Sequence, residues 1–470
     1  MAHIEREIKL HLAPRGMEAL ARLAPHRRSV ASIYYDTPRE ELRHAGAALR
    51  LRRDGGRWLQ TLKAESAPHA GLAARAEWEL PVRGRALEPA AFPLEEIRRS
   101  TGLDLARLAG RLRPLFETRF TRRSGLVQLD ATGKAELAID RGSIIAGRRR
   151  EAIREAELEL ISGDPAALLR FAQGLELPLA YESKAERGYR LSAGLKRAPR
   201  GWRMPTLDPA ASVDQAFAAL FSAALTQAGT NAAGMTRSAD PEYLHQLRVG
   251  LRRLRSAIRA FAPVIDKVKP IKRALRRLTP ALGAARDWDV FVQTLQNAGA
   301  GPQLLRRARR ERSRVRSAAL EAVSSPDLQG FLFGSLRWLQ SRASRHADLT
   351  LSDLAPARLE RLHRKAAAGA WGTSKRRHKL RIRVKRLRYA CEFFAPCFAP
   401  AQVEPYVRRL ARLQDILGEL NDIAVAQRLL KRMDAAAPSG LGRREKRLLR
   451  SLHPTLARFK GEPAYWRRAE

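Results

Sequence analysis

The chain has 470 residues, of which 45% are hydrophobic, with 89 Lys plus Arg against 48 Asp plus Glu and a formal net charge of +41. This length exceeds what one hydrophobic core usually holds, and the apolar fraction excludes a disordered chain. Two cysteines, Cys391 and Cys397, exclude a disulfide framework or a cysteine-rich zinc site. The excess charge is uneven, net +11 over residues 1–200 and net +30 over 201–470, and it implies a polyanionic partner. The opening MAHIEREIKL has no apolar leader core and no run of 18 apolar residues occurs, so a cytoplasmic protein without membrane segments is expected.

Up to about residue 190, polarity alternates with period two in short runs broken by Gly, Pro and Asp, which predicts antiparallel strands. One face of each run is charged. Glu5, Glu7 and Lys9 alternate with Ile4, Arg6, Ile8 and Leu10. The pattern returns at Arg50 and Arg52, at Glu77 and Glu79, at Glu136 and Asp140, and at Glu157 and Glu159. A single such strand reads as a half-buried sheet with its polar face in water. Same-sign pairs recurring in several strands point instead to a closed sheet with the charges inward: cations for phosphate oxygens, carboxylates for a divalent metal. The apolar outer face then needs helical cover, for which Glu18–Leu23 and Pro165–Leu175 are candidates. Asp36, in a turn before Pro38, reads as structural.

These residues resemble the CYTH domains of the triphosphate tunnel metalloenzymes. The resemblance rests on the ordered set Glu5-x-Glu7-x-Lys9, YYDTP at Tyr34–Pro38, LRLR at Leu49–Arg52, TLK ending at Lys63, the Glu77/Glu79 pair, ELAID ending at Asp140, the Glu157/Glu159 pair and SKAERGY at Ser183–Tyr189. It implies metal-dependent hydrolysis of a triphosphate held in a tunnel, with magnesium or manganese suiting all-oxygen ligands. Under it, Glu5, Glu7, Glu157 and Glu159 are metal ligands, and Lys9, Lys63 and Lys184 belong to the catalytic set with Glu5 and Glu7. Arg50, Arg52, Arg119 and Arg187 bind substrate, with a structural partnership as the alternative for Arg187.

Gly194, Pro199, Gly201, Pro205 and Pro209 mark a linker, after which the period becomes helical. The expected architecture is therefore multi-domain. An N-terminal antiparallel β-barrel (tunnel) with flanking helices spans 1–195 and a linker spans 196–208. A C-terminal all-α domain of two repeated helical bundles spans 209–470, with halves near 209–340 and 341–470. The repeat is direct: HQLRVGLRRLRSAIRAF from His245 aligns without gaps to HKLRIRVKRLRYACEFF from His378, an offset of 133 residues, and LGAARDWDV from Leu282 aligns to LGELNDIAV from Leu417.

On a helix, His245, Arg248, Arg252, Arg255 and Arg259 form one stripe beside Leu247, Leu251, Leu254 and Ile258; His378, Arg381, Lys385 and Arg388 repeat it beside Leu380, Val384, Leu387 and Cys391. A solvated face would carry carboxylates three or four residues away, and none is expected to serve these stripes. Asp287, Asp289, Asn421 and Asp422 on the following helices are candidates to orient the arginines through bidentate pairs. This second part resembles the CHAD domain, associated with inorganic polyphosphate. The resemblance implies binding by His245, Arg248, Arg252, Arg253, Arg255, His378, Arg381, Lys385, Arg386 and Arg388.

The combined reading is hydrolysis of inorganic triphosphate in the barrel and binding of long-chain polyphosphate by the helices, with polyphosphate granules as a further cellular expectation. The alternative is a non-catalytic polyphosphate-binding protein whose tunnel only senses chain ends. Nucleic acid is expected to bind only non-specifically, because the cationic stripes lack interleaved stacking aromatics. Oligomeric state is left open.

Overall fold

A computed structural model describes residues 3–12, 20–65, 72–342, 346–461 and 463–467. The chain divides into two compact units, Met1–Pro199 with Leu332–Arg342, and Arg200–Phe331 with Ala343–Glu470.

The first unit contains a closed antiparallel barrel. Strands β1 (His3–His11), β2 (His26–Asp36), β3 (Ala47–Asp54), β4 (Arg57–Glu65), β5 (Leu72–Val82), β6 (Arg113–Gln128), β7 (Lys134–Ala146) and β8 (Arg149–Ser162) follow the order β1-β5-β4-β3-β2-β6-β7-β8 around it. Directly paired residues share a face, so the register decides which charges meet. It sets Lys9 against Glu157, Lys63 against Glu77, and Arg122 against Asp140. The alternate residues Leu49, Leu62 and Trp78 point outward and are buried under Leu42, Ile97 and Leu105. These come from α1 (Glu41–His44), α2 (Leu94–Thr101) and α3 (Leu105–Leu108). Each large side chain so covered contributes about 1.5–3 kcal/mol relative to exposure.

The helical cover differs in part from the sequence reading. Helix α4 (Pro165–Gly174), started by the Asp164 cap, buries Leu168 and Leu169 against β8 and β1 as expected. Cover over β3–β5 comes from residues 94–108, which carry no long periodic pattern. Of the Glu18–Leu23 candidate, residues 18 and 19 lie outside the described residues. Helix α5 (Lys184–Ser192) begins with a capping box between Ser183 and Glu186. Its Gly188 lies so close to β6 that an added Cβ would come within 2.0 Å of the Phe116 ring. Only glycine permits that approach, which carries Lys184 in among the barrel's carboxylates.

The second unit consists of two sets of four helices. The first is α6 (Val213–Met235), α7 (Pro241–Ala260), α8 (Lys269–Asn297) and α9 (Pro302–Ser324); α10 (Pro326–Gln340) follows in the chain, and from Leu332 onward it belongs to the first unit. The second is α11 (Leu351–Ala367), α12 (Ser374–Phe394), α13 (Pro400–Arg432) and α14 (Ser439–Lys460). The apolar stripes Leu247, Leu251, Leu254, Ile258 and Leu380, Val384, Leu387, Cys391 are buried, which makes Cys391 a core residue. Equivalent helices of the two copies meet, α7 with α12 and α8 with α13, so the cationic stripes converge. No helix among the described residues is long and apolar enough to cross a membrane.

Candidate functional site

Inside the barrel, opposite charges are cross-linked from strand to strand. Lys9 Nζ lies 2.6 Å from Glu7 and also contacts Glu157, while Lys63 Nζ lies 2.5 Å from Glu5 and 3.1 Å from Glu77. Arg52 reaches Glu79 at 3.0 Å and Arg50 approaches Glu77 at 4.0 Å. Lys184, 6% exposed, sits 2.6 Å from Asp140, 2.5 Å from Glu155 and 3.0 Å from Glu157.

The pairing fixes charge states. Burial alone would depress Lys184 and Lys9, but the carboxylates outweigh it and hold both ammonium groups well above their ordinary values. Burial likewise opposes ionisation of Glu7 and Glu157; Lys9 brings Glu7 down to about 2, and Lys184, Lys9 and Arg122 hold Glu157 well below the usual range.

Glu159 is the exception. It has no ion pair among the described residues, and burial together with Glu5 pushes it up to about 7. Glu5 is also raised, by burial and by Glu7. Glu159 lies opposite Glu7 in the β1–β8 register, so a carboxyl without an ion pair adjoins Glu5 and Glu7, which keep Lys63, Lys9 and Arg75 as partners, and hard oxygen donors of this kind fit a divalent cation. Among the described residues the carboxylate group with metal-compatible spacing is Asp140, Glu155 and Glu157, whose oxygens lie within 4.8 Å of one another. Lys184 and Arg122 are paired with it, whereas Glu159, beside Glu5 and Glu7 and with Glu157 at their border, has no cation partner among the described residues.

Two arginines lie elsewhere than the sequence reading placed them. Arg119 has the outward parity of β6, is paired with Glu117 at 2.7 Å and its side chain is 66% exposed, so it does not line the tunnel. The inward cation is Arg122, bound to Asp140 at 2.7 Å and Glu157 at 2.5 Å. Period two could not separate them, because β6 carries arginine on both parities. Arg187 is buried, and each of its nitrogens already donates, to Glu151, Glu155 and the Ala152 carbonyl. It is a structural partner. Arg75, 3.1 Å from Glu7, is a further inward cation that the sequence reading missed. Asp36 is structural as expected: it accepts from the Leu42 and Arg43 amides and from the Tyr189 hydroxyl.

The helical unit gathers His245, Arg248, Arg252, Arg381 and Lys385 into one cluster with almost no compensation. Burial, then Arg381 and Arg252, bring Lys385 down to about 6. Burial and Arg286 bring His245 to about 4, and Arg248 falls to about 10 although Asp287 opposes the shift. His378 is held through Nδ1 by Asn421 at 2.8 Å.

The other residues assigned to this track go elsewhere. Arg253 pairs with Glu392 at 2.6 Å and lies over the Trp202 and Tyr389 rings; Arg388 pairs with the same Glu392 at 3.1 Å. The second stripe thus does have an acidic neighbour, at i+4 of its last member. Arg255 donates to the Leu275 carbonyl and to Thr279, and Arg386 lines a separate cavity. Bidentate pairs between Asp287 or Asp422 and the track arginines do not form among the described residues; Asp287 pairs with Arg428 at 3.3 Å.

Two family models account for this arrangement, the CYTH domain over residues 3–189 and the CHAD domain over residues 219–431. The chain carries a CYTH domain followed by a CHAD domain. It is similar to an inorganic triphosphatase of Haemophilus influenzae, 32% identical over 205 residues, which is 40% of this chain and 55% of that protein; the chain spans about half that relative's length. Among solved structures it is similar to the CHAD domain from the plant Ricinus communis (TM-score 0.49, 28% identity, 56% of this chain and 97% of that one). It also matches a Hippeastrum protein described as having a dominant triphosphatase activity (TM-score 0.30, 18% identity, 41% of this chain and 97% of that one).

Proposed function

We propose that the CYTH barrel hydrolyses inorganic triphosphate with magnesium or manganese, and that the CHAD unit binds inorganic polyphosphate. The observation that carries the reading is the adjacency, on one inner wall, of carboxyls raised by burial (Glu5, Glu159), the second without an ion pair among the described residues, and of cations held in place by neighbouring strands (Lys9, Lys63, Arg52, Arg122). Similarity to the Haemophilus influenzae inorganic triphosphatase supports the substrate class.

Glu5, Glu7 and Glu159 would hold the cation, with Glu157 beside them, and it would supply charge stabilisation at the phosphoryl oxygens and orient water. Lys9, Lys63, Arg50, Arg52, Arg75 and Arg122 bind the oxygens of the phosphate chain, exchanging carboxylate partners for phosphate. Water adds to the terminal phosphorus, the bond to the bridging oxygen breaks, and orthophosphate and pyrophosphate leave. Lys184, enclosed by three carboxylates, keeps β7 and β8 in register and holds positive charge at the wall.

The test is orthophosphate release from inorganic triphosphate by the intact chain and by its Glu5→Ala/Glu7→Ala variant. Metal-dependent turnover that vanishes in the variant supports the reading. No turnover by a folded, triphosphate-binding wild type would favour the non-catalytic alternative, which is consistent with the extent of internal ion pairing in the tunnel. For the helical unit, Arg248→Glu with Arg381→Glu should abolish long-chain polyphosphate binding and leave turnover intact.

A further inference from the structure

The two copies of the helical repeat are not electrostatically equivalent. Under the 133-residue offset Arg253 corresponds to Arg386, and Arg259 corresponds to Glu392. In one half of this relation Arg253 pairs with Glu392 at 2.6 Å and is covered by Trp202, with its guanidinium 4.3 Å from the ring centroid. In the other half Arg386 meets Arg259, so a base stands where symmetry would place the acid. Arg386 has no ion pair among the described residues and its Nε is buried without a hydrogen-bond partner. Burial, then Arg259 and Arg383, lower its proton affinity.

Around Arg386 lies a cavity of about 480 Å³ lined by Arg259, Arg358, Arg361, Lys365 and Arg383, with Pro263 and Leu362 on its wall and no carboxylate. Its floor is fixed. Arg358 donates through Nε to the Ala260 carbonyl at 2.7 Å and also to that of Arg259, and Arg383 donates to the Lys365 carbonyl at 3.1 Å. Carbonyl acceptors orient these guanidinium groups without cancelling their charge. Arg259, Arg361 and Lys365 stand exposed at the rim, leaving the cavity open to a solute.

We propose that this cavity is a second oligophosphate site, formed where the duplicated arginine has no acidic partner, and separate from the track of His245, Arg248, Arg252, Arg381 and Lys385. It fits a compact ligand of two or three phosphoryl groups, each able to accept from several guanidinium donors. It does not depend on the polyphosphate track, because none of its lining residues belongs to that cluster.

The experiment is hydrogen exchange at residues 259–264 and 358–366 in the full chain carrying Arg248→Glu and Arg381→Glu, with and without inorganic pyrophosphate. Exchange at both segments is expected to slow with pyrophosphate. Adding Arg259→Glu, which restores the symmetric ion pair, is expected to abolish the protection and weaken the site at least about tenfold. Arg361→Ser with Lys365→Ser, confined to the exposed rim, should weaken it without disturbing the fold. Protection that survives both changes would overturn the proposal. So would protection confined to residues 245–252 of the chain with an intact track, which would leave the track as the sole phosphate site and the cavity a solvated groove.

Discussion

The barrel and the helical cluster hold their basic side chains in opposite electrostatic states. In the barrel each buried ammonium is matched by carboxylates from neighbouring strands, and Lys9 and Lys184 bind their protons more tightly than free lysine. In the cluster, Lys385 and Arg248 bind theirs less tightly, because burial and like neighbours both oppose the charge. Under the proposed function, the contrast separates two ways of recognising phosphate. A site that must also take a metal keeps both signs present and exchanges partners. A site that takes only an anion can leave its cations unsatisfied, so that binding relieves repulsion.

Removing a cation should therefore have opposite consequences in the two regions. Lys184→Met leaves Asp140, Glu155 and Glu157 buried with one counter-charge fewer, and is expected to cost about 3–5 kcal/mol of barrel stability, read by denaturant unfolding. A loss below about 1 kcal/mol would mean that water already screens the network, erasing the contrast.

Lys385→Met should do the reverse, stabilising the anion-free helical unit by on the order of 1 kcal/mol after discounting for solvent, while weakening polyphosphate binding. The sign follows from proton counts. Lys385 is depressed to about 6 in the folded protein, so between that value and the unfolded lysine value near 10.4 the folded state binds fewer protons. Its unfavourable contribution is full below pH 6 and fades as pH rises toward 10. The variant should lose that rise in stability with pH, and a profile identical to wild type would show that Lys385 is already neutralised.

Much of this contrast is legible in the sequence, for different reasons in each part. Charges at period two place Glu5, Glu7, Lys9, Arg50 and Arg52 on one face because a strand has only two faces, and the 133-residue repeat fixes which helices are equivalent. Which partner each charge finds is a matter of register and crossing, which no local pattern encodes. Arg119 and Arg122 both look eligible until pairing with β2 and β7 assigns their faces. Arg253 and Arg386 occupy the same repeat position, yet one is neutralised and one is not, because the residue across the α7–α12 contact differs. The cover from residues 94–108 escapes notice because α2 and α3 are too short to develop a period.

The smallest expected effect tests whether the unpaired Glu159 carboxyl marks the metal site. Glu159 is pushed up to about 7 by burial and by Glu5, with Glu77 and Glu7 adding to the shift and Lys63 opposing it. A carboxyl raised in the folded state holds a proton that the unfolded chain releases near pH 4.5, so metal-free stability from this group falls as pH rises from about 4.5 through 7. A divalent cation competes with that same proton. Added magnesium should therefore raise the thermal midpoint at pH 8 and progressively less below pH 7, the apparent affinity falling by up to about tenfold per pH unit. Glu159→Gln should flatten this dependence while leaving the pairs made by Lys9 and Lys184 in place. If the magnesium effect kept its full pH dependence in that variant, proton competition would have to be assigned to Glu5, and the cation would sit nearer β1 than β8.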